Sequence, residues 1–215
     1  MEQEWPVITF VLITINLAVF LFSYNPSINA TYEGVIEAFG LTPQFLYLKP
    51  YTLITHMFIH ADIIHFGGNM LMLAIVGIAG ERKVGSVKFF LLYLLSGLCV
   101  VPFAFLMEYL IKTSVILIGA SGAIFGLMFL AAAVAGWEEV PAILVPVLNI
   151  VALPVVFFTL KNIKVPLFIA ILFYLLLNLI LMISNLPNSI GELAHFGGLF
   201  GGVLGFLFVV PEKVK

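Results

Sequence analysis

Charge is what this chain has least of. Lys, Arg, Asp and Glu make up 9% of its 215 residues, and Asp62 is the only aspartate. A protein that neutralises a row of phosphates needs a basic face, and nine Lys and Arg against eleven Asp and Glu, net −2, supply none; nucleic acid is therefore not an expected partner. Cysteine is almost missing as well. Cys99 stands alone in an apolar run, which excludes a disulfide framework and a cysteine-built metal site and leaves it as a small apolar filler. The sequence shows no internal repeat, no low-complexity tract and no soluble stretch long enough for a second domain. What it has in abundance is apolar surface: 63% of residues are hydrophobic and the mean hydropathy is +1.21, far above the range of soluble domains. The reading is an all-α polytopic membrane protein, one domain over residues 1–215.

A spanning helix needs roughly 20 apolar residues. The candidates are about 6–24, 63–80, 87–110, 121–136, 164–184 and 191–210. The first is preceded by Glu2 and Glu4 rather than Lys or Arg and ends in Asn25-Pro26, a poor signal peptide, so it is read as a retained span. The connection 25–62 carries Glu33, Glu37 and Lys49, prolines at 26, 43 and 50, and the aromatics Phe39, Phe45, Tyr47 and Tyr51. It is too broken to span and too apolar to be free in water, and is expected to lie along the membrane interface as short helices. The stretch 138–160 is apolar but interrupted by prolines 141, 146 and 154. One extra crossing there would put Ser121 and His195 on opposite sides, and two do not fit in about 23 residues at 1.5 Å each. It is expected to be interfacial, re-entrant or an extension of the fourth helix.

Cations accumulate on the cytoplasmic side of membrane proteins. Arg82, Lys83, Lys88, Lys161, Lys164, Lys213 and Lys215 all fall on one side if both termini are cytoplasmic, leaving only Lys49 and Lys112 outside. The expectation is a multi-pass cell-membrane protein with His65, Ser121 and His195 together at the non-cytoplasmic end.

Gly119-Ala120-Ser121-Gly122 marks the point where a loop becomes an apolar helix. The first amides of a helix have no intrahelical acceptor, and the dipole there favours developing negative charge, so Ser121 is placed as a nucleophile with an oxyanion donor in its own N–H. Its hydroxyl needs a base. His195 shares a helical face with Gly198 and Gly202, a glycine surface that lets a second backbone approach, with Gly122 and Gly126 as its partner face. Phe125, one turn below Ser121, is placed to pack against the imidazole. His65 and Asn69, four apart and costly in a membrane without a polar task, are read as further oxyanion donors. A triad needs a carboxylate on the imidazole; with Asp62 beside the histidine cluster and Glu192 at a helix start, the reading is a Ser–His dyad. Glu81 and Glu108, at helix ends, are read as structural or solvated. His56 and His60 have the i, i+4 spacing of zinc ligands, but Met57 stands where His-Glu-x-x-His needs glutamate, so no metal or cofactor is expected.

In combination, His65-x-x-x-Asn69, Gly119-x-Ser121-Gly122 and Ala194-His195 followed by glycines resemble the rhomboid family of intramembrane serine proteases, from about His56 to Gly205. Gly80 to Gly85 is similar to that family's turn after the second helix, and His56 and His60 to its loop histidines. The resemblance implies the six-transmembrane-helix rhomboid-like bundle of prokaryotic type with an interfacial first loop. It further implies a Ser121–His195 dyad and single-span membrane proteins as substrates, cut in or near the span. Two departures are that many members carry Trp-Arg where this chain has Tyr51-Thr52, and Tyr where it has Phe125. The alternative within the resemblance is a catalytically silent membrane-protein binder, which the presence of both Ser121 and His195 argues against.

Overall fold

A computed structural model describes residues 5–23, 32–112, 114–141, 164–184 and 190–210. Among them stand eight helices: α1 (Val7–Ser23), α2 (Tyr32–Phe39), α3 (Thr52–Thr55), α4 (Ile63–Val84), α5 (Ser86–Ile111), α6 (Ser121–Ala135), α7 (Leu167–Ser184) and α8 (Ile190–Val209). α4 and α5 are each long and apolar enough to cross a membrane, and the apolar stretches within the other four long helices are shorter. Two short strands, β1 (Glu139–Pro141) and β2 (Lys164–Pro166), pair antiparallel with Val140 opposite Val165.

α6 is the axis of the bundle. Built largely from Gly, Ala, Leu, Ile, Met and Phe, it buries ten of its fifteen residues, and α4, α5, α7 and α8 pack around it. At 1.5 Å per residue it is about 22 Å long, shorter than the ~30 Å of a bilayer's hydrocarbon. α5 is the longest helix and continues through Pro102. α4 and α5 meet at Gly85, whose φ of +83° is a conformation side-chain-bearing residues avoid.

α1 has no acidic residue in its first turn, and its N-terminal amides are satisfied from another helix. Glu81 of α4, only 1% exposed, accepts hydrogen bonds from Ile8 N (2.9 Å), Thr9 N (2.8 Å), Thr9 Oγ1 (2.8 Å) and Ser86 Oγ (2.6 Å). Of the two readings left open for Glu81, the solvated one is corrected: the carboxylate is buried and ties α1 to the α4–α5 turn. Removing it strands four donors. Glu81→Ala should lower stability by about 3 kcal/mol, and Glu81→Gln, which keeps an acceptor, by less; the unfolding midpoint of the purified protein measures both.

The first connection is held by helix-end chemistry. Three C-terminal carbonyls of α2 receive side-chain donors: Lys49 Nζ to Glu37 O (3.0 Å), Tyr51 Oη to Ala38 O (3.1 Å) and Thr55 Oγ1 to Phe39 O (2.7 Å). Thr52 Oγ1 donates to Lys49 O (2.7 Å). Tyr51-Thr52 thus anchors this loop through hydroxyls.

At the other end of the bundle α6 ends at Ala135, Gly136 closes it and 139–141 is strand, while the rest of the segment 138–160 lies outside the described residues. The fifth apolar segment becomes helical at Leu167, not at 164, because 164–166 is occupied by β2. Prolines 141 and 166, which would interrupt a helix, sit in these strands. Leu167 N and Phe168 N donate to Glu138 O (2.9 Å) and Gly136 O (3.0 Å), and Lys83 pairs with Glu138 at 2.6 Å. The chain therefore leaves at Pro141 and returns at Lys164 at the same end of the bundle.

Candidate active site

Asp62, in extended backbone, caps α4: its Oδ1 accepts from Ile64 N and His65 N, both at 2.8 Å. That fixes where α4 starts, and so puts His65 and Asn69 one turn apart on one face. Ala61 N–H donates to His65 Nδ1 at 3.2 Å. A neutral imidazole that accepts at Nδ1 carries its proton on Nε2. This Nε2 faces Gly119: a methyl group built there would lie 2.7 Å from it and 3.4 Å from Asn69 Nδ2. Asn69 Nδ2 is buried with no hydrogen-bond partner among the described residues. Two donors therefore converge on the loop before Ser121, one of them with nothing to donate to.

That loop is held on both sides. Leu41 and Leu117 exchange two backbone hydrogen bonds of 2.9 Å, an isolated antiparallel bridge between the first connection and the stretch leading to Ser121. Gly119 N donates to His56 O at 2.9 Å, and Gly119 has φ +106°, so this position needs glycine both for its backbone and for the space His65 occupies. His56 is itself pinned, its Nδ1–H donating to Thr52 O at 2.7 Å. Burial pushes its pKa down to about 4, so it stays neutral near pH 7. His60 is held edge-on against both His65 and Phe66, and burial, with His65 adding to it, also lowers it to about 4.

At the start of α6, Ser121 Oγ lies 2.9 Å from His195 Nε2. The residues are 74 apart in sequence, and glycine makes their meeting possible. A Cβ on Gly198 would fall on the carbonyl of Gly122, and one on Gly202 against the backbone of Gly126, so α6 and α8 touch main chain to main chain. Gly197, Gly201 and Gly205 form a second face toward α5, against Cys99, Ser96 and Leu92, which the sequence reading had not separated from the first. Phe125 stacks on the His195 ring at 4.2 Å and 13°, and Tyr174 of α7 leans on the other partner of that pair, 5.6 Å from the Phe125 ring.

The arrangement can do the following chemistry. A hydroxyl bonded to an imidazole nitrogen can lose its proton as it attacks a carbonyl carbon. The Ser121 N–H, in the first turn, has no intrahelical acceptor, and His65 Nε2 and Asn69 Nδ2 lie against Gly119, two residues before it. Asp62 is committed to the α4 N-terminus and does not serve His195. Among the described residues, no group of three or more His, Cys, Asp or Glu is arranged to hold a metal ion. Sequence reasoning missed the Asp62 cap, though an aspartate just before an apolar helical run is a recognisable start signal. It also missed the Leu41–Leu117 bridge, which has no local signature.

The central helix of the bundle thus opens on a serine bonded to a histidine across a glycine interface. The chain belongs to the rhomboid family: a family profile described as Rhomboid domain matches residues 47–212. It is similar to three Arabidopsis thaliana proteins. RHOMBOID-like protein 2 is 33% identical over 75% of this chain and 43% of that protein. RHOMBOID-like protein 6, mitochondrial, is 31% identical over 77% of this chain and 46% of that protein. RHOMBOID-like protein 7 is 29% identical over 76% of this chain and 44% of that protein. The match thus spans under half the length of each of these relatives.

Proposed function

We propose that the protein is an intramembrane serine endopeptidase that cuts membrane-protein segments through a Ser121–His195 dyad. The single observation that carries this reading is the 2.9 Å contact between Ser121 Oγ and His195 Nε2 at the N-terminus of the central helix. In the proposed mechanism Ser121 attacks the scissile carbonyl while His195 takes its proton. The Ser121 N–H, His65 and Asn69 hold the oxyanion, His195 protonates the leaving amine, and water hydrolyses the acyl-enzyme. Gly119, Gly122, Phe125, Gly198 and Gly202 support the site by close approach and ring stacking. In this reading α1, α4, α5, α6, α7 and α8 are six spans. Both termini are cytoplasmic, and the site opens to the non-cytoplasmic side. The shortness of α6 supports a serine below the membrane surface, and the return of the chain beside its exit at Pro141 and Lys164 supports an even number of crossings between α6 and α7. Substrates are single-span membrane proteins with helix-weakening residues near the cut, since backbone cleavage requires an extended segment.

Labelling with a fluorophosphonate, which reacts with activated serines, tests the reading. Wild type should label in detergent and in liposomes, with or without a metal chelator, and Ser121→Ala and His195→Ala should not. Absence of wild-type labelling in folded protein would favour a silent membrane-protein binder, and loss on chelation a metal site at His56 and His60. Asn69→Ala should retain slow cleavage, its kcat lower by about 10² because two other oxyanion donors remain, with KM little changed.

A further inference from the structure

We propose that Tyr174 is a positioning residue for His195: its ring bears on Phe125, the Phe125 ring lies flat on the imidazole, and α7 thereby helps set the angle at which that imidazole meets Ser121. The inference rests on His195 being the base.

The three rings form a continuous stack across three helices. Phe125 of α6 lies 4.2 Å from the His195 ring at 13°, and Tyr174 of α7 meets the same phenyl ring at 5.6 Å and 54°. The second contact is tilted and falls within the roughly 4.5–7 Å between centroids over which aromatic pairs attract. What the stack can control is the plane of the imidazole. The lone pair on a ring nitrogen lies in the ring plane, so a tilt of His195 takes Nε2 out of line with the Ser121 hydroxyl even where the 2.9 Å separation is kept.

Phe125 alone holds that plane weakly. A phenyl ring carries no polar atom, so its own tilt is set by what packs on it. Gly122, one turn before Phe125 on α6, and Gly126, next to it, have no side chains, and their bareness is what lets α6 and α8 touch. Tyr174 supplies a wall from a third helix. It packs against the main core and stands with Met72, Ile75 and Val76 of α4 around a small cleft that Ile171 also lines. The contact with Phe125 is ring to ring, so the aromatic body of Tyr174 is the part required, and its hydroxyl is not.

The rate constant for labelling by an excess of a short-chain alkyl fluorophosphonate tests this, and it does not depend on how much of a preparation is folded, because an unfolded chain has no activated serine. Tyr174→Leu should label about tenfold more slowly than wild type, a part of the 10² that a one-ångström misplacement costs, and Tyr174→Phe within about twofold of wild type. Ile171, 3% exposed on the same wall, is the control: Ile171→Ala should lower the unfolding midpoint and leave the rate constant unchanged. In a Phe125→Leu background, where the link is gone, Tyr174→Leu should slow labelling no further. A wild-type rate in Tyr174→Leu overturns the proposal, as does an equal loss in Tyr174→Phe or Ile171→Ala, or an undiminished loss on top of Phe125→Leu. Faster labelling in Tyr174→Leu also overturns it, since the ring would then be a barrier on the reagent's way to Ser121. All of these leave the dyad standing while His195→Ala abolishes labelling. Wild type that does not label, or His195→Ala that labels normally, removes the dyad and the proposal with it.

Discussion

Replacing Ser121 by alanine should lower the single-turnover rate of peptide cleavage by roughly 10⁴ to 10⁶, the loss seen when a nucleophile that acts as part of a unit is removed. His195→Ala should do almost the same damage. Ser121 Oγ and His195 Nε2 are 2.9 Å apart, and in the proposed mechanism that imidazole is the base without which the hydroxyl keeps its proton near pH 7. The double variant should then be no slower than either single one to within about tenfold, because the second substitution removes a partner whose function is already lost. Additive losses would mean the two residues act independently, and the dyad would have to be abandoned. The asymmetric outcome, an inactive Ser121→Ala with a nearly intact His195→Ala, would point to a different base.

Gly198→Val should be the most damaging substitution that removes no polar group. The new side chain would begin where the Gly122 carbonyl now lies, so α6 and α8 must separate. Ser121 sits on one of these helices and His195 on the other. A misplacement of one ångström costs about 10² in rate, and accommodating a branched side chain needs more than that, so a loss of about 10³ is expected. Overpacking should add about 1–3 kcal/mol of destabilisation. Cleavage rate and unfolding midpoint measured together separate the two effects: a variant near wild type in activity would show that the close approach of the helices does not set the dyad. Gly67, where a Cβ meets nothing within 4 Å, supplies the control, and Gly67→Ala should change little.

How far these features were legible in the sequence depended on whether the interaction leaves a pattern in the local sequence. The glycine face of α8 could be read because His195, Gly198 and Gly202 recur with the helical period, and the partner face on α6 carries the same small residues. Helix positions followed from apolar run length, and the start of α6 from the loop-to-apolar switch at Ser121. What escaped reading was contact between chain segments distant in sequence. Glu81 looked like a residue at a helix end, and nothing local says that it caps α1, 73 residues away. The pairing of Leu41 with Leu117 joins two stretches with no strand pattern of their own. The β1–β2 pairing is a third case, since three-residue strands bounded by prolines lie below what periodicity can detect.

The antiparallel pairing of 139–141 with 164–166 also bears on how this sequence can change over generations. A connection whose two ends are already side by side has no distance to bridge, so its length is not set by the geometry of the bundle. Closing a longer one costs only a logarithmic amount, about 0.6 kcal/mol for each doubling in length. The stretch between Pro141 and Lys164 is therefore a point where residues can be gained or lost while the helices that carry Ser121 and His195 keep their register. Variation in size among related chains should collect there, leaving the central helix free to stay short.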